Sequence, residues 1–323
     1  MKNSYQSFYQ KPTTLWVGRN DTPKGRLFQH IQSLDCQHLP DKLPKKSIVF
    51  LGFACDEGVK RNLGRPGAAK GPESLRQALS NTPLAVNNSY YFWDAGDVIC
   101  PNQDLETAQH TLGKITAQLR QRRAHVIVLG GGHEVAFGHF QGLIEQRGLD
   151  VINFDAHFDC RPLLPNQLGS SGTGFRQMHD YCQENKISWR YACLGVQPFG
   201  NTTDLFDYAT SINAYFCLAE EIVQKPQVIQ EALSRWLESS QRIYLTLCLD
   251  VFAQADAPGV SAPQPMGLSP HNVLPFFRQI LHSGKVIGFD VAELNPLHDY
   301  DSQTAKLGAY FIAEYCQYLL KYS

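Results

Sequence analysis

The chain has 323 residues, 43% of them hydrophobic, enough to bury a sizeable core as one large α/β domain or two small ones. Lysine plus arginine number 29 against 30 aspartate plus glutamate; with no basic block and no RNA-type aromatic motif, this balance argues against nucleic acid and for a small-molecule partner. Nine scattered cysteines with no CxxC pair argue against a structural zinc site or a secreted disulfide framework.

The opening MKNSYQSFYQKPTTLW lacks the apolar core of a signal peptide, and no later run reaches the length of a membrane span, so a cytoplasmic protein with no membrane partner is expected. Residues 1–45 read as an N-terminal extension packed on a single domain over 46–323. The first buried strand is SIVFLGFA from Ser47. After it, Arg65, Gly67, Gly71 and Pro72 read as an ordered loop and helix start, because Pro and Gly punctuate turns and Pro suits the first helical turn. Leu105, Ala108, Leu112, Ile115 and Leu119 then recur at helical spacing. Further apolar runs follow: HVIVLGGG from His125, DVINFD from Asp150, YACLGV from Tyr191, IYLTLCLD from Ile243 and KVIGFDV from Lys285. Ala305, Ala309, Ile312, Ala313 and Cys316 close the chain as a helix. Short apolar runs of this kind are strands buried on both faces. Their alternation with helices predicts an α/β fold, a three-layer α/β/α sandwich around a mainly parallel sheet, with the Pro-rich patches near 40–44 and 258–270 as loops.

Polar groups cluster where these strands end, the edge at which parallel sheets bind ligands. In VINFDAHFDC, continuation of the strand would put Asp155, His157 and Asp159 on one face, a donor set that suits a divalent cation. A helix N-cap accounts for one such aspartate, not for the trio. His133 follows three glycines, and the run is not a phosphate loop because it lacks the GK[ST] ending. Cys248 and Asp250 end another strand, and Asp290 and Glu293 the last.

In series, GGGHE, NFDAHFD, LTLCLD and AELNP resemble the arginase (ureohydrolase) family from about Ser47 to the C-terminus. The resemblance implies two Mn²⁺ per subunit at the carboxyl edge of the sheet. His133, Asp155, Asp159 and Cys248 would hold one ion, and Asp155, His157, Cys248 and Asp250 the other. Oxygen and imidazole donors suit Mn²⁺, and water between paired cations becomes hydroxide near neutral pH. Asp250 would orient that nucleophile and accept its proton, and Glu293 would face the amidine or guanidine nitrogens. The resemblance also leaves a homo-oligomer open.

This chain departs from the family pattern in carrying Gly132 and Cys248 where aspartates are usual, and its GSSGTGFRQ loop lacks the histidine of arginases. Arg161 replaces a neutral substrate-contacting residue, so an acidic substrate is expected, with Arg161 and Arg176 on its carboxylate end. Together with LWVGRND and CDEGVKRNLGRPGAAKGPESLR, these features resemble the branch of the family that hydrolyses N-formimidoyl-L-glutamate to glutamate and formamide. Another ureohydrolase acting on a guanidino acid, or a metal-poor non-catalytic binding relative, are the alternatives. Cys55, past the end of the first strand on the same rim, could form a redox pair with Cys248, or the two thiols could sit apart and inert.

Overall fold

The computed structural model describes residues 6–12, 16–21, 25–84 and 90–322. Parts of the expected N-terminal extension, and Leu15 of LWVGRND, lie outside the described residues. The strands, in chain order, are β1 (Tyr9–Gln10), β2 (Ile31–Ser33), β3 (Ser47–Ala54), β4 (Tyr91–Ile99), β5 (His125–Leu129), β6 (Leu149–Phe154), β7 (Trp189–Val196), β8 (Tyr215–Leu218), β9 (Ile243–Cys248) and β10 (Val286–Ala292). They form one sheet in the order β1-β4-β3-β5-β10-β9-β6-β7-β8, with β2 also paired to β4. Every pairing is parallel except that of β1 with β4.

The helices are α1 (Glu57–Arg61), α2 (Gly71–Ser80), α3 (Leu105–Gln121), α4 (Val135–Leu143), α5 (Gly174–Asn185), α6 (Thr203–Ser211), α7 (Ala219–Gln224), α8 (Pro226–Glu238), α9 (Pro270–His282) and α10 (Gln303–Tyr322). Side chains alternate across the sheet, so consecutive residues of one strand serve opposite cores. Ile48 and Phe50 of β3 pack with α2, α9 and α10, while Val49, Leu51 and Phe53 pack with α3. The α3 side continues under α4, α5 and α6, giving the three layers. Among the described residues, no helix is long and apolar enough to cross a membrane.

All six expected strands are present, and β4 is the long strand that the sequence hides. Its run YFWDAGDVI contains Asp94 and Asp97, which break the apolar pattern. Both are neutralised from α2 by Arg76, itself 1% exposed: Nε donates to Asp94 Oδ2 at 3.0 Å and Nη1 to Asp97 Oδ1 at 2.7 Å. The register between β3 and β4 shifts between Phe50 and Gly52, so β4 bulges at Ala95 and Gly96, and Gly96 takes a φ of 73° that favours glycine. From the region before residue 46, β1 and β2 hydrogen-bond to β4, and Trp16 Nε1 donates to Asp94 Oδ2 at 2.6 Å.

Candidate metal centre

The middle strands β5, β10, β9 and β6 lie side by side, and the pairings Leu129↔Val291, Ala292↔Cys248 and Phe154↔Leu247 bring their carboxyl ends level. Beyond β5 the chain turns through Gly130 to Gly132. A Cβ on Gly131 would lie 1.9 Å from the Cys55 carbonyl oxygen, so only a bare Cα lets the turn through. Gly132 N donates to that oxygen at 2.9 Å and Glu293 N to Gly131 O at 2.8 Å, which fixes His133 against the end of β10.

β6 ends at Phe154, so strand alternation does not assemble the trio that follows it. The loop does so instead. His157 N donates to Asp155 Oδ1 at 2.7 Å, a local turn closed by a carboxylate, and Asp159 adopts a left-handed φ of 46°. Likewise Cys248 is the last residue of β9, and Asp250 stands on the helical turn Leu249–Val251 rather than further along the strand. Glu293, just past β10, has a φ of 71°. Left-handed conformations at non-glycine residues cost free energy and persist where surrounding structure enforces them, commonly at functional sites.

These loops bring all six expected ligands together. His133 Nδ1 lies 2.8 Å from Asp155 Oδ2 and 2.9 Å from Asp159 Oδ2, and His157 Nδ1 lies 3.4 Å from Asp155 Oδ1 and 3.1 Å from Asp250 Oδ2. His133, Asp155 and Cys248 present donor atoms within 4.8 Å of one another, as do Asp155, His157 and Asp250. Asp155 is common to both groups. His133 Nδ1 and Asp250 Oδ1 are buried without hydrogen-bond geometry to any partner among the described residues. Buried polar atoms left without such a partner inside these donor groups are what ligands of a cation look like.

Electrostatics carry the same message. Burial raises the carboxyl of Asp250 to about 6, with Asp155 adding repulsion, and raises Glu293 to about 7. Burial and then Asp155 also raise Asp159, and burial and then Asp155 hold the Cys248 thiol well above its ordinary value. Against its own burial, Asp155 is held below the ordinary range by the adjacent imidazoles of His133 and His157. Asp155 and Asp159 in turn hold the His133 imidazole well above its ordinary value, and Asp250 and Asp155 do the same for His157. Excess buried negative charge of this kind is relieved by bound cations.

Four supporting residues carried no role in the sequence reading. Thr246 Oγ1 lies 3.1 Å from His133 Nε2, leaving Nδ1 to face the carboxylates. Ser261 donates to Glu293 Oε2, while His133 N donates to Glu293 Oε1 at 2.7 Å. Glu134 fills the space opened by Gly132, whose Cβ would lie 2.1 Å from Glu134 Oε2; burial, then Glu293, raises this carboxyl to about 8. Asn62 stands on the cavity wall. The GGGHE motif contained Glu134, and position 246 alternates with Cys248 on one strand, but Ser261 and Asn62 come from distant loops with no local signal.

The cluster floors a cavity of about 260 Å³, whose wall includes Arg161, Asn62, Ser171, Ser261 and Glu293. Arg161 is exposed and, among the described residues, has no ion pair. Arg176 is not on this wall: its Nε donates to Asp180 Oδ2 at 3.1 Å and its guanidinium lies 4.2 Å from the centre of the Tyr208 ring, so α5 holds it elsewhere. Nor does the structure join Cys55 to Cys248. Both are free thiols, and Cys55 Sγ donates to Glu134 Oε1 at 3.7 Å and lies beside Cys100. The reason is the register of β3 on β4, where Ala54 pairs with Ile99 and the next residue of each strand is a cysteine.

Residues 46–317 match the pattern of the Arginase family. Formimidoylglutamase of Legionella pneumophila (strain Lens) is 45% identical over 303 residues, 93% of this chain and 94% of its own. That of Clostridium tetani is 40% identical, covering 92% of each chain. Among solved structures, formimidoylglutamase of Bacillus subtilis superposes with a TM-score of 0.80 at 22% identity over 94% of each chain, a likeness of fold. Trypanosoma cruzi formiminoglutamase, solved with Mn²⁺₂, gives 0.74 at 25% identity over 85% of this chain and 94% of its own. With ligand donors gathered at the carboxyl edge of a parallel sheet and the family pattern running through nearly all of its length, the chain belongs to the arginase family.

Proposed function

We propose that this protein is a manganese-dependent hydrolase that cleaves N-formimidoyl-L-glutamate to L-glutamate and formamide, a step of histidine degradation, acting on its small-molecule substrate in the cytoplasm. The observation that carries the substrate is Arg161, a guanidinium with no partner among the described residues on the wall of the cavity that the metal donors floor, in a chain 45% identical to a formimidoylglutamase. A guanidinium binds carboxylates in a bidentate manner and repels a cationic tail, which favours an acidic amidine over a guanidino base.

His133, Asp155, Asp159 and Cys248 would hold one Mn²⁺, and Asp155, His157, Cys248 and Asp250 the other; the carboxylates and imidazoles suit this ion, and the thiol is the one soft donor. When bound, the pair of ions supplies Lewis acidity and lowers the pKa of water. Asp250, with one oxygen unpartnered among the described residues, would orient the attacking water and accept its proton. Glu293, already fixed by His133 N and Ser261, retains lone pairs for the N–H groups of the amidinium. Arg161 anchors a carboxylate, so the reacting carbon is presented at a fixed position.

The test is formamide release by reduced protein supplied with Mn²⁺. Equal amounts of formamide and glutamate are expected. Release of urea from a guanidino acid, with no formamide from formimidoylglutamate, would replace this reading by that of another ureohydrolase, and absence of both reactions by that of a binding protein.

A further inference from the structure

Polar side chains on the cavity wall are of two kinds. Asn201 is fully used by the protein: Nδ2 donates to Ala156 O and Gln197 O, each at 2.9 Å, and Oδ1 accepts from Phe158 N at 3.0 Å. Ser261 is likewise engaged, donating to Glu293 Oε2. Asn62 and Arg161, in contrast, make no side-chain hydrogen bond or ion pair among the described residues.

These two side chains meet over a single backbone position. A Cβ on Gly172 would lie 2.9 Å from Arg161 Cδ, 3.0 Å from Asn62 Nδ2 and 3.1 Å from Asn62 Oδ1, so both rest on its bare Cα. The loops that carry them are tied together. Arg161 N donates to Gly172 O at 2.8 Å. Arg61, beside Asn62, donates from Nη1 to Gly169 O at 3.0 Å and to Glu106 Oε1 at 2.7 Å, and Gly169 N donates to the same Glu106 oxygen at 3.1 Å. Donors carried on loops tied to one another, with no acceptor among the described residues, are what a ligand site can use.

We infer that Asn62 determines specificity: its carboxamide N–H and the guanidinium of Arg161, whose stem meets it over Gly172, bind one carboxylate of the acidic amidine. The guanidinium fork takes both carboxylate oxygens, and Asn62 donates to a lone pair that remains. This rests on the reading given under Proposed function. It adds a residue that lies on a different loop from Arg161 and assigns a use to the glycine between them.

The experiment compares wild type with Asn62→Ala, Asn62→Asp and Gly172→Ala as reduced, Mn²⁺-loaded proteins. It measures kcat and KM for N-formimidoyl-L-glutamate, competitive inhibition by L-glutamate, Mn²⁺ affinity and melting temperature. Gly172→Ala keeps the chemistry of both side chains and only forces them apart. Asn62→Asp keeps the shape of the side chain but sets a carboxylate against the ligand's own. KM and the glutamate inhibition constant are expected to rise about ten-fold in Asn62→Ala and Gly172→Ala, and further in Asn62→Asp, with kcat, metal affinity and melting temperature unchanged. Wild-type KM and inhibition constants in Asn62→Asp would overturn the assignment while leaving the proposed activity standing. Parallel losses of kcat or of metal affinity would show a structural role instead. A wild-type protein that releases no formamide would overturn the activity and this inference together.

Discussion

Asp155 has no exposed surface and faces the imidazoles of both His133 and His157, so its charge is shared between the two donor groups. Asp155→Asn keeps the size of the side chain and removes that charge. Loss of partners that merely orient ligands costs about 10- to 100-fold in metal affinity or activity, so if Asp155 is shared by two ions as proposed, its loss should cost at least the upper value in formamide release and leave no more than one tightly bound Mn²⁺. Metal analysis after dialysis and a formamide assay check it; a variant with two tight ions would remove Asp155 from the centre. At this scale the sequence was informative about identity and less so about cause. Asp155, His157 and Asp159 were legible as a group because of their chemistry and spacing, yet they converge through a turn and a left-handed aspartate, not through strand alternation. Arg176 misled because a cation near a site motif looks the same in sequence whether it meets a ligand or an aromatic ring.

At the scale of elements, β4 is held by a buried ion cluster. Arg76 carries a charge that water cannot reach, and Asp94, 2% exposed, depends on it. Removing one partner of such a cluster leaves buried charge uncompensated, so Arg76→Ala should destabilise the fold by about 3–5 kcal/mol, read as a lower denaturant midpoint. A change below about 1 kcal/mol would mean that water or a rearranged neighbour reaches the aspartates. The same cluster explains why β4 was illegible. Its aspartates are compatible with a buried strand only because Arg76, from α2, meets them, and no local pattern records a pairing made in three dimensions. Strands β3 and β5 were legible because their runs are almost wholly apolar, and β10 was legible despite the buried Asp290, which His139 of α4 meets at 2.5 Å, because a single interruption leaves the apolar run readable.

For the molecule as a whole, the buried carboxyls beneath the cavity make the metal-free protein sensitive to pH. Asp250, Glu293 and Glu134 have folded-state values raised to about 6, 7 and 8, and His133 and His157 are raised as well. A raised group contributes stability that is complete below its unfolded value and lost as pH passes its folded value. For the carboxyls the unfolded values are 3.8 and 4.5, so metal-free protein should lose melting temperature progressively as pH climbs through 6, 7 and 8. Mn²⁺ should flatten that dependence, and scanning calorimetry with and without the ion checks it; a flat metal-free profile would show that the carboxyls are not raised. The sheet order has a consequence for biosynthesis. β10 is the last strand of the chain yet lies between β5 and β9, joining the block β4-β3-β5 to the block β9-β6-β7-β8. Until residues 286–292 leave the ribosome, the nascent chain holds two half-sheets, each with an open central edge, and His133 is not yet held beside Cys248. Nascent chains stalled before Val286 should therefore be protease-sensitive and chaperone-bound, and those stalled late enough to expose β10 and α10 should become resistant in a single step.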